Sequence, residues 1–312
     1  MLVDDFLEHL KNGGDKPAII SDEGAVSYDQ FHNKISKYCR ELAAQSISGS
    51  CVLLVDNYSI TSISMLFALW KHNNVVALSV PKNEDHIAQL ANTAGAKYTI
   101  IGGVPHEFTI LKNVASKVPP VIDELLYRSQ AGFIVFSSGS TGKAKGVVHK
   151  ILPFFHRYLS ANNCGAILAF LLFDHIGGLV TVLHALATHG SLVIPNARSP
   201  QEVGRCIEAF NVETLHVSPT LLNLAILTGV FLKWDTRSIR RIYYGSEPSS
   251  AVAIQRIRNA LPHVELCQLY GMSEIGVLPC RNKDGDSAWM KVEDQNYSIK
   301  VVDGILHVRG AT

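Results

Sequence analysis

A regular pattern of apolar positions follows Ser27 in the N-terminal part of the chain. Apolar residues recur there at steps of three or four, which places them on one face of an α-helix. Ser27 and Gln30 have the spacing of a capping box, in which each side chain bonds the backbone of the other residue. We therefore predict an amphipathic helix that begins after Ser27. The residues predicted on its buried face are Tyr28, Phe31, Ile35, Tyr38 and Leu42.

Short apolar runs recur along the rest of the chain, separated by segments with helical spacing such as 200–210. Runs of this length are typical of buried β-strands. Strands that alternate with helices predict an α/β fold with mainly parallel sheets. The predicted strands are 51–55, 75–80, 98–101, 133–136, 167–172, 191–194, 214–217, 239–243 and 265–269. Near the C-terminal end, apolar residues from 297 to 308 flank Asp303-Gly304, which predicts a β-hairpin.

The most apolar stretch of the chain, 167–186, is interrupted by Asp174 and His175. A charge near the midplane of a bilayer costs several kcal/mol, so we predict buried α/β core rather than a membrane span. The N-terminal segment 1–10 carries acidic residues and no long apolar core, unlike a signal peptide. We therefore expect a cytoplasmic protein.

The composition argues against several classes of protein. The chain has 312 residues, of which 47% are hydrophobic, and its 28 Lys and Arg nearly balance 27 Asp and Glu. This balance argues against intrinsic disorder and against a basic nucleic-acid binder. The six cysteines form no C-x-x-C pair, so neither a zinc site nor a disulfide framework is indicated.

A glycine- and hydroxyl-rich segment, Ser137-Ser-Gly-Ser-Thr-Gly-Lys-Ala-Lys-Gly146, directly follows the predicted strand 133–136. Glycines let backbone N–H groups converge on an anion, while hydroxyl and lysine side chains add donors and charge. The segment therefore predicts a flexible phosphate-binding loop at the edge of a sheet, although the same composition also fits a solvated turn. It is not a Walker A loop, because Ser137 replaces the first glycine of that pattern and Ala144 follows Lys143.

The ten-residue segment resembles the phosphate-binding signature of the adenylate-forming superfamily, which includes acyl-CoA and aryl-CoA ligases, adenylation domains of peptide synthetases and luciferases. This family usually has proline where the chain has Ala144. Three further segments, 173–179, 243–247 and 269–274, occur in the family's order. The resemblance implies the family's large N-terminal α/β domain, with two stacked, mainly parallel subdomains at about 1–165 and 166–295. A small β-rich element would begin at 296–312.

The resemblance implies roles for particular residues in binding ATP and Mg²⁺. Glu274 would hold Mg²⁺, Ser273 would bond the α-phosphate, and Tyr270 would lie against adenine. His175 would lie near the substrate carboxylate and the path of the thiol, and Lys145 would offset phosphate charge. The other implied nucleotide contacts are Ser137, Ser138, Gly139, Ser140, Thr141, Gly142, Lys143, Gly245, Ser246, Glu247 and Gly271.

The implied activity is the ATP- and Mg²⁺-dependent activation of a small carboxylic acid as an acyl-adenylate. The acid is already ionised at neutral pH, so the reaction needs positioning and charge neutralisation rather than a general base. The apolar residues around the motifs favour an aryl or acyl acid over a charged amino acid. Coenzyme A, or the phosphopantetheine of a carrier protein, would then accept the acyl group as a thioester.

The resemblance covers only the family's large N-terminal domain. The segment 303–310 resembles the strand ahead of the family's Thr-Gly-Asp motif, and the 312 residues include no counterpart of that Asp or of the C-terminal lid domain with its Lys. Three explanations stay open: a fragment of a longer ligase, a short protein completed by a lid domain in trans, and a non-catalytic module that binds nucleotide or acyl-adenylate. We expect an adenylating module. A Rossmann-like oxidoreductase is disfavoured, because no strand is followed by G-x-G-x-x-G.

Overall fold

The computed structural model describes residues 3–103, 108–113, 117–138, 144–161, 163–278, 280–282, 290–292 and 297–310. The helices among them are α1 (Val3–Lys11), α2 (Tyr28–Ala44), α3 (Ile60–Lys71), α4 (Glu84–Ala94), α5 (Pro120–Tyr127), α6 (Leu152–Leu159), α7 (Ile176–Ala187), α8 (Pro200–Phe210), α9 (Pro219–Leu227), α10 (Val230–Lys233) and α11 (Ala251–Ala260). The strands are β1 (Pro17–Ser21), β2 (Gly24–Ser27), β3 (Cys51–Val55), β4 (Val75–Ser79), β5 (Tyr98–Gly102), β6 (Phe108–Lys112), β7 (Gly132–Ser138), β8 (Ala144–Lys150), β9 (Ala166–Leu168), β10 (Ser191–Val193), β11 (Thr214–Val217), β12 (Arg241–Tyr244), β13 (Glu265–Gln268), β14 (Tyr270–Met272), β15 (Gly276–Leu278), β16 (Cys280–Asn282), β17 (Met290–Val292), β18 (Tyr297–Val302) and β19 (Ile305–Gly310). The chain divides into two units, Met1–Asn196 and Ala197–Thr312. The subdomain limits at 165 and 295 stay a prediction.

Helix α2 begins with the predicted capping box. The Gln30 backbone N–H donates to Ser27 Oγ over 3.2 Å, and the Ser27 backbone N–H donates to Gln30 Oε1 over 2.9 Å. The two bonds satisfy backbone donors that a helix start leaves without partners. The buried residues of this helix are Tyr28, Phe31, Ile35, Tyr38 and Leu42, as the apolar spacing predicts.

We expect Ser27→Ala to lower the free energy of unfolding by about 1 kcal/mol, because the cap hydroxyl has no replacement. The exposed Ser48 provides a control, and Ser48→Ala is expected to change the stability by less than about 0.5 kcal/mol. Urea denaturation of both variants measures the difference. Equal stabilities would contradict the capping role.

The first unit contains a six-stranded sheet in the order β6-β5-β3-β4-β7-β8. Strands β3, β4, β5 and β7 run parallel, and the two edge strands are antiparallel to their neighbours. Strands β3 and β4 are buried along their whole length, which explains their continuous apolar sequences. Their side chains pack with buried residues of α4 and α5, such as Leu90 and Ile122, in one core.

A second set of strands in the first unit has the order β9-β10-β1-β2. Strand β10 is parallel to β9 and to β1, while β1 and β2 form an antiparallel hairpin. The predicted strand 167–172 is shorter in the structure and ends at Leu168. The following residues bend instead, and the Phe173 ring is buried 5.0 Å from the Tyr58 ring.

The second unit combines a parallel sheet with small antiparallel hairpins. Strands β11, β12 and β13 are parallel neighbours, and α8 covers 200–210 as predicted. The later strands pair as β14–β15, β16–β17 and β18–β19. The last hairpin turns at Asp303 and Gly304, whose φ values of 50° and 76° fit the predicted tight turn. The structure thus confirms mainly parallel sheets followed by small antiparallel β elements.

The apolar stretch 167–186 contributes to the interior of the first unit. It contains most of α7, which is buried from Gly178 to Ala187. Within the described ranges, no helix is both long and apolar enough to cross a membrane.

Candidate active site

The two ends of the predicted phosphate loop are paired strands in the first unit. Strands β7 and β8 are antiparallel, with Ser137 opposite Lys145 and Phe136 opposite Gly146. The Lys145 side chain is exposed, and β8 forms the predicted sheet edge. The predicted contacts Gly139, Ser140, Thr141, Gly142 and Lys143 lie outside the described residues, as does the side chain of Ser138. The predicted loop of ten residues is wrong at both ends, because strand pairing includes residues 137–138 and 144–146.

His175 lies at the start of α7, where its backbone carbonyl accepts the first helical hydrogen bond, from Leu179. Its side chain is 58% exposed. The following glycines allow close contacts, because a Cβ on Gly178 would lie 1.9 Å from the Leu172 carbonyl oxygen. Glycine at this position therefore lets the start of the helix approach the preceding turn.

Asp174 bonds both its neighbour and the residue that directly follows strand β4. Its Oδ1 lies 2.7 Å from His175 Nδ1, and its Oδ2 accepts the Val80 backbone N–H over 3.1 Å. Burial acts to raise the pKa of Asp174, but the hydrogen bonds from His175 and Val80, with the charges of His175 and Lys82, lower it below its ordinary value. The carboxylate is therefore held ionised beside an exposed imidazole.

In the second unit, the segment 245–247 directly follows β12. A Cβ on Gly245 would lie 2.6 Å from the Leu269 carbonyl oxygen. The backbones at Gly245 and Leu269 therefore lie close together. Ser246 adopts a φ of 68°, a strained conformation for a residue with a side chain. The Glu247 carboxylate accepts a hydrogen bond from the Thr220 hydroxyl near the start of α9. This contact joins two of the segments that follow parallel strands.

The segment with Tyr270 and Glu274 forms a small hairpin just after β13. Tyr270 and Gly271 belong to β14, while Ser273 and Glu274 lie in the turn that leads into β15. The Tyr297 hydroxyl donates to the Ile275 carbonyl over 3.2 Å and so supports this turn. Glu274 is exposed, and Ser273 is half-buried. The structure thus brings Gly245 near the hairpin, because β12 and β13 are parallel neighbours.

Burial raises the pKa values of two side chains on strands β12 and β13. The pKa of Tyr243 is raised because burial disfavours the phenolate, against the opposing charge of Arg241. Burial raises the pKa of Cys267 to about 12, and the adjacent Glu265 adds to the effect. Both groups therefore stay protonated at neutral pH, and neither serves as a nucleophile or base there.

The residues present fit a magnesium ion that is held mainly by its substrate. In the described part of the chain, no group of three or more His, Cys, Asp or Glu residues could hold a metal. Mg²⁺ is commonly bound by one or two carboxylates together with substrate phosphates rather than by a cage of protein ligands. The exposed Glu274 carboxylate in a supported turn suits that arrangement.

Three of these contacts are not predicted from the sequence. Asp174 lies in the motif segment 173–179, yet the resemblance assigns a role only to its neighbour His175. The sequence signal that could have indicated Asp174 is an Asp directly beside a His. The Thr220 bond to Glu247 and the Tyr297 bond to Ile275 join residues 27 and 22 positions apart. Contacts at such separations depend on the fold, so no local pattern indicates them.

The sequence matches the family described as AMP-binding enzyme over residues 6–304. The chain belongs to this family. The match covers all of the described site residues in both units. It confirms the resemblance drawn from the four sequence motifs.

Relatives in this family have diverse names. A 4-coumarate--CoA ligase-like protein of Arabidopsis thaliana is 26% identical over 196 residues, which cover 56% of this chain and 34% of the relative. The phenyloxazoline synthase MbtB of Mycobacterium sp. is 24% identical over 294 residues, which cover 88% of this chain and 25% of the relative. The chain thus spans about a quarter to a third of the length of these relatives.

Solved structures share the fold at low sequence identity. The N-terminal subdomain of Klebsiella oxytoca NpsA, in complex with 3-hydroxybenzoyl-AMSN, superposes with a TM-score of 0.79 and 18% identity, covering 99% of this chain and 87% of that one. The N-terminal domain of FACL13 from Mycobacterium tuberculosis gives 0.70 and 19%, covering 88% and 76%. These similarities confirm the fold of N-terminal domains of adenylate-forming enzymes.

Proposed function

We propose that this chain activates a small carboxylic acid by forming an acyl-adenylate from ATP. The proposal depends chiefly on one observation in the second unit. The segments Gly245–Glu247 and Tyr270–Glu274 follow the carboxyl ends of two adjacent parallel strands, in a chain of the AMP-binding family. Ligands of α/β sheets commonly bind outside the carboxyl ends of the strands.

The reaction requires two anions, the substrate carboxylate and ATP, to bind side by side. The ionised carboxylate of the substrate attacks the α-phosphorus, and pyrophosphate leaves with the electron pair of the broken bond. Binding both reactants in one site removes much of the entropic barrier, and fixed donors offset the negative charge. No residue has to remove a proton from the acid, because its pKa of about 4 leaves it ionised at neutral pH.

The proposal assigns these tasks to the residues predicted from the sequence. Ser273 donates to the α-phosphate, Tyr270 lies against adenine, and His175 faces the carboxylate. Lys145 and the loop ahead of it neutralise the β- and γ-phosphates. Glu274 would hold Mg²⁺, which when bound supplies positive charge to the phosphate oxygens. The nucleotide contacts proposed beyond these are Ser137, Ser138, Gly139, Ser140, Thr141, Gly142, Lys143, Gly245, Ser246, Glu247 and Gly271.

An aryl or acyl acid is the proposed substrate class. The apolar Met272, 43% exposed, lies in β14, next to the turn that carries Glu274, and Ile275 follows it. The names of similar proteins support the same class, since they include a 4-coumarate--CoA ligase-like protein and a complex with 3-hydroxybenzoyl-AMSN. The proposed acceptor of the acyl group is the thiol of coenzyme A or of a carrier-protein phosphopantetheine. Support comes from a ligase named for CoA and from PA1221, which contains adenylation and PCP domains.

Exchange of labelled pyrophosphate into ATP tests the proposal. We expect Mg²⁺-dependent exchange with at least one aryl or acyl acid and background rates with charged amino acids. Aryl acids, fatty acids and amino acids are compared at equal concentration, and omission of the acid is the control. ATP binding without exchange for any acid would contradict acyl-adenylate formation by this chain and favour a binding module. Absence of ATP binding would contradict both.

A further inference from the structure

The side chains of Asp174 and His175 form a hydrogen-bonded pair at the start of α7. The pair joins Asp174 Oδ1 to His175 Nδ1 at 2.7 Å. The two partners differ in exposure, because the Asp174 side chain is 11% exposed and the His175 side chain 58%. A largely buried carboxylate therefore holds one nitrogen of a ring whose other side faces solvent.

Contacts with the rest of the first unit fix the position of this carboxylate. Its second oxygen accepts the Val80 backbone N–H at 3.1 Å, just after β4. The preceding residue, Phe173, is buried against the Tyr58 ring. On the other side, Gly178 lies so close to Leu172 that no Cβ fits. Asp174 thus stands in a segment held at three points, and its carboxylate has little freedom to rotate.

An ionised carboxylate accepts hydrogen bonds and cannot donate them. The Nδ1 atom of His175 must therefore carry a proton to bond Asp174 Oδ1. In the neutral ring, the proton on Nδ1 leaves Nε2 as an acceptor on the exposed side. The lowered pKa of Asp174 agrees with this assignment, because it keeps the carboxylate ionised.

We propose that Asp174 is a positioning residue that fixes the ring orientation and the Nδ1-protonated tautomer of His175. The inference rests on the proposed function, in which His175 faces the reacting acid. Asp174 itself touches neither substrate nor nucleotide in this proposal. It acts through the imidazole, whose Nε2 it presents to the site in one orientation. A ring held in this way loses less rotational freedom when substrate binds than a ring without this bond.

A purely structural role for Asp174 makes a different prediction. Such a role would depend on the bond that anchors Val80 and would be independent of His175. The variant Asp174→Asn separates the two roles, because its amide oxygen can still accept the Val80 N–H. Its amide nitrogen, however, donates toward His175 Nδ1, which then has to be the acceptor. The hydrogen bond to the Val80 N–H is retained, while the proton of the His175 ring moves to Nε2.

Nitrogen-15 NMR of protein labelled at histidine measures the tautomer directly. The chain has 13 histidines, and the signal of His175 is identified by its loss in His175→Gln. We expect an Nδ1-protonated ring in the wild-type protein and an Nε2-protonated ring in Asp174→Asn, with the melting temperature unchanged. The exposed Asp123 provides a control, since Asp123→Asn should leave the His175 signal in place. An unchanged tautomer in Asp174→Asn would overturn the proposal.

A double-mutant cycle tests whether Asp174 acts through His175. We expect Asp174→Asn to lower kcat of pyrophosphate exchange about tenfold, with KM for ATP little changed. The double variant with His175→Gln should lose no more than the His175→Gln variant alone, because the two residues work as one unit. Additive losses would overturn the positioning role.

The two measurements distinguish failure of this inference from failure of the proposed function. If no acid supports exchange in the wild-type protein, while the tautomer still changes in Asp174→Asn, the positioning contact stands and the adenylation proposal fails. If exchange occurs and is unaffected by Asp174→Asn, the adenylation proposal stands and the positioning role fails.

Discussion

Replacing Glu274 with glutamine is expected to lower Mg²⁺-dependent pyrophosphate exchange about 100-fold, because the Mg²⁺ that Glu274 is proposed to hold would contribute several kcal/mol of charge stabilisation. Glutamine keeps the size of the side chain and removes its charge. The residue is exposed in the turn between β14 and β15, so the change leaves the fold intact. Initial rates across a titration of Mg²⁺ measure both the loss of rate and the higher metal concentration that the variant requires.

A second carboxylate provides the control for this experiment. Glu84 is exposed in the first turn of α4, and Glu84→Gln should exchange pyrophosphate at the wild-type rate. Comparison of the two variants separates loss of a particular ligand from loss of one negative charge. A Glu274→Gln variant with wild-type dependence on Mg²⁺ would refute the assignment of this residue to the metal.

The elements that could be predicted from the sequence are those whose signals are local. The cap at Ser27 and the turn at Asp303-Gly304 each depend on residues within a few positions, and both have the predicted geometry. Strand β8 lacks such a signal, because its segment 144–150 mixes lysines and glycine with two valines. It is a strand because β7 supplies its hydrogen-bond partners. Strand β9 ends early for a similar reason, since its partner β10 ends at Val193, opposite Leu168.

The same distinction applies to the candidate site. Motifs indicate which residues are proposed to carry the chemistry, as with His175 and Glu274, but not what holds them. The contact between Asp174 and Val80 spans 94 positions, and the one between Thr220 and Glu247 spans 27. Neighbours of this kind arise only when the fold brings distant segments of the chain together. The structure therefore adds the contacts that hold the motif residues in place, while the roles of these residues stay proposals.

Gly178 is the position in the first unit where we expect a single methyl group to have the largest effect. A Cβ there would lie 1.9 Å from the Leu172 carbonyl oxygen and 2.7 Å from the Tyr58 hydroxyl. Backbone cannot rotate away as a side chain can, so the turn before α7 would have to move. We expect Gly178→Ala to lower the free energy of unfolding by about 3 kcal/mol, the upper end of the range for overpacked cores. Urea denaturation measures this loss.

The adjacent glycine is a matched control on the same helix turn. A Cβ on Gly177 would meet only the end of the Leu171 side chain, at 2.7 Å, which can rotate aside. Both variants replace glycine with alanine in the first turn of α7, so the gain in helix propensity is similar and their difference isolates the backbone contact. We expect Gly177→Ala to stay near wild-type stability. Equal losses in the two variants would contradict the close approach. Because the turn that Gly178 presses against carries Asp174 and His175, Gly178→Ala should also slow pyrophosphate exchange under conditions where the protein stays folded.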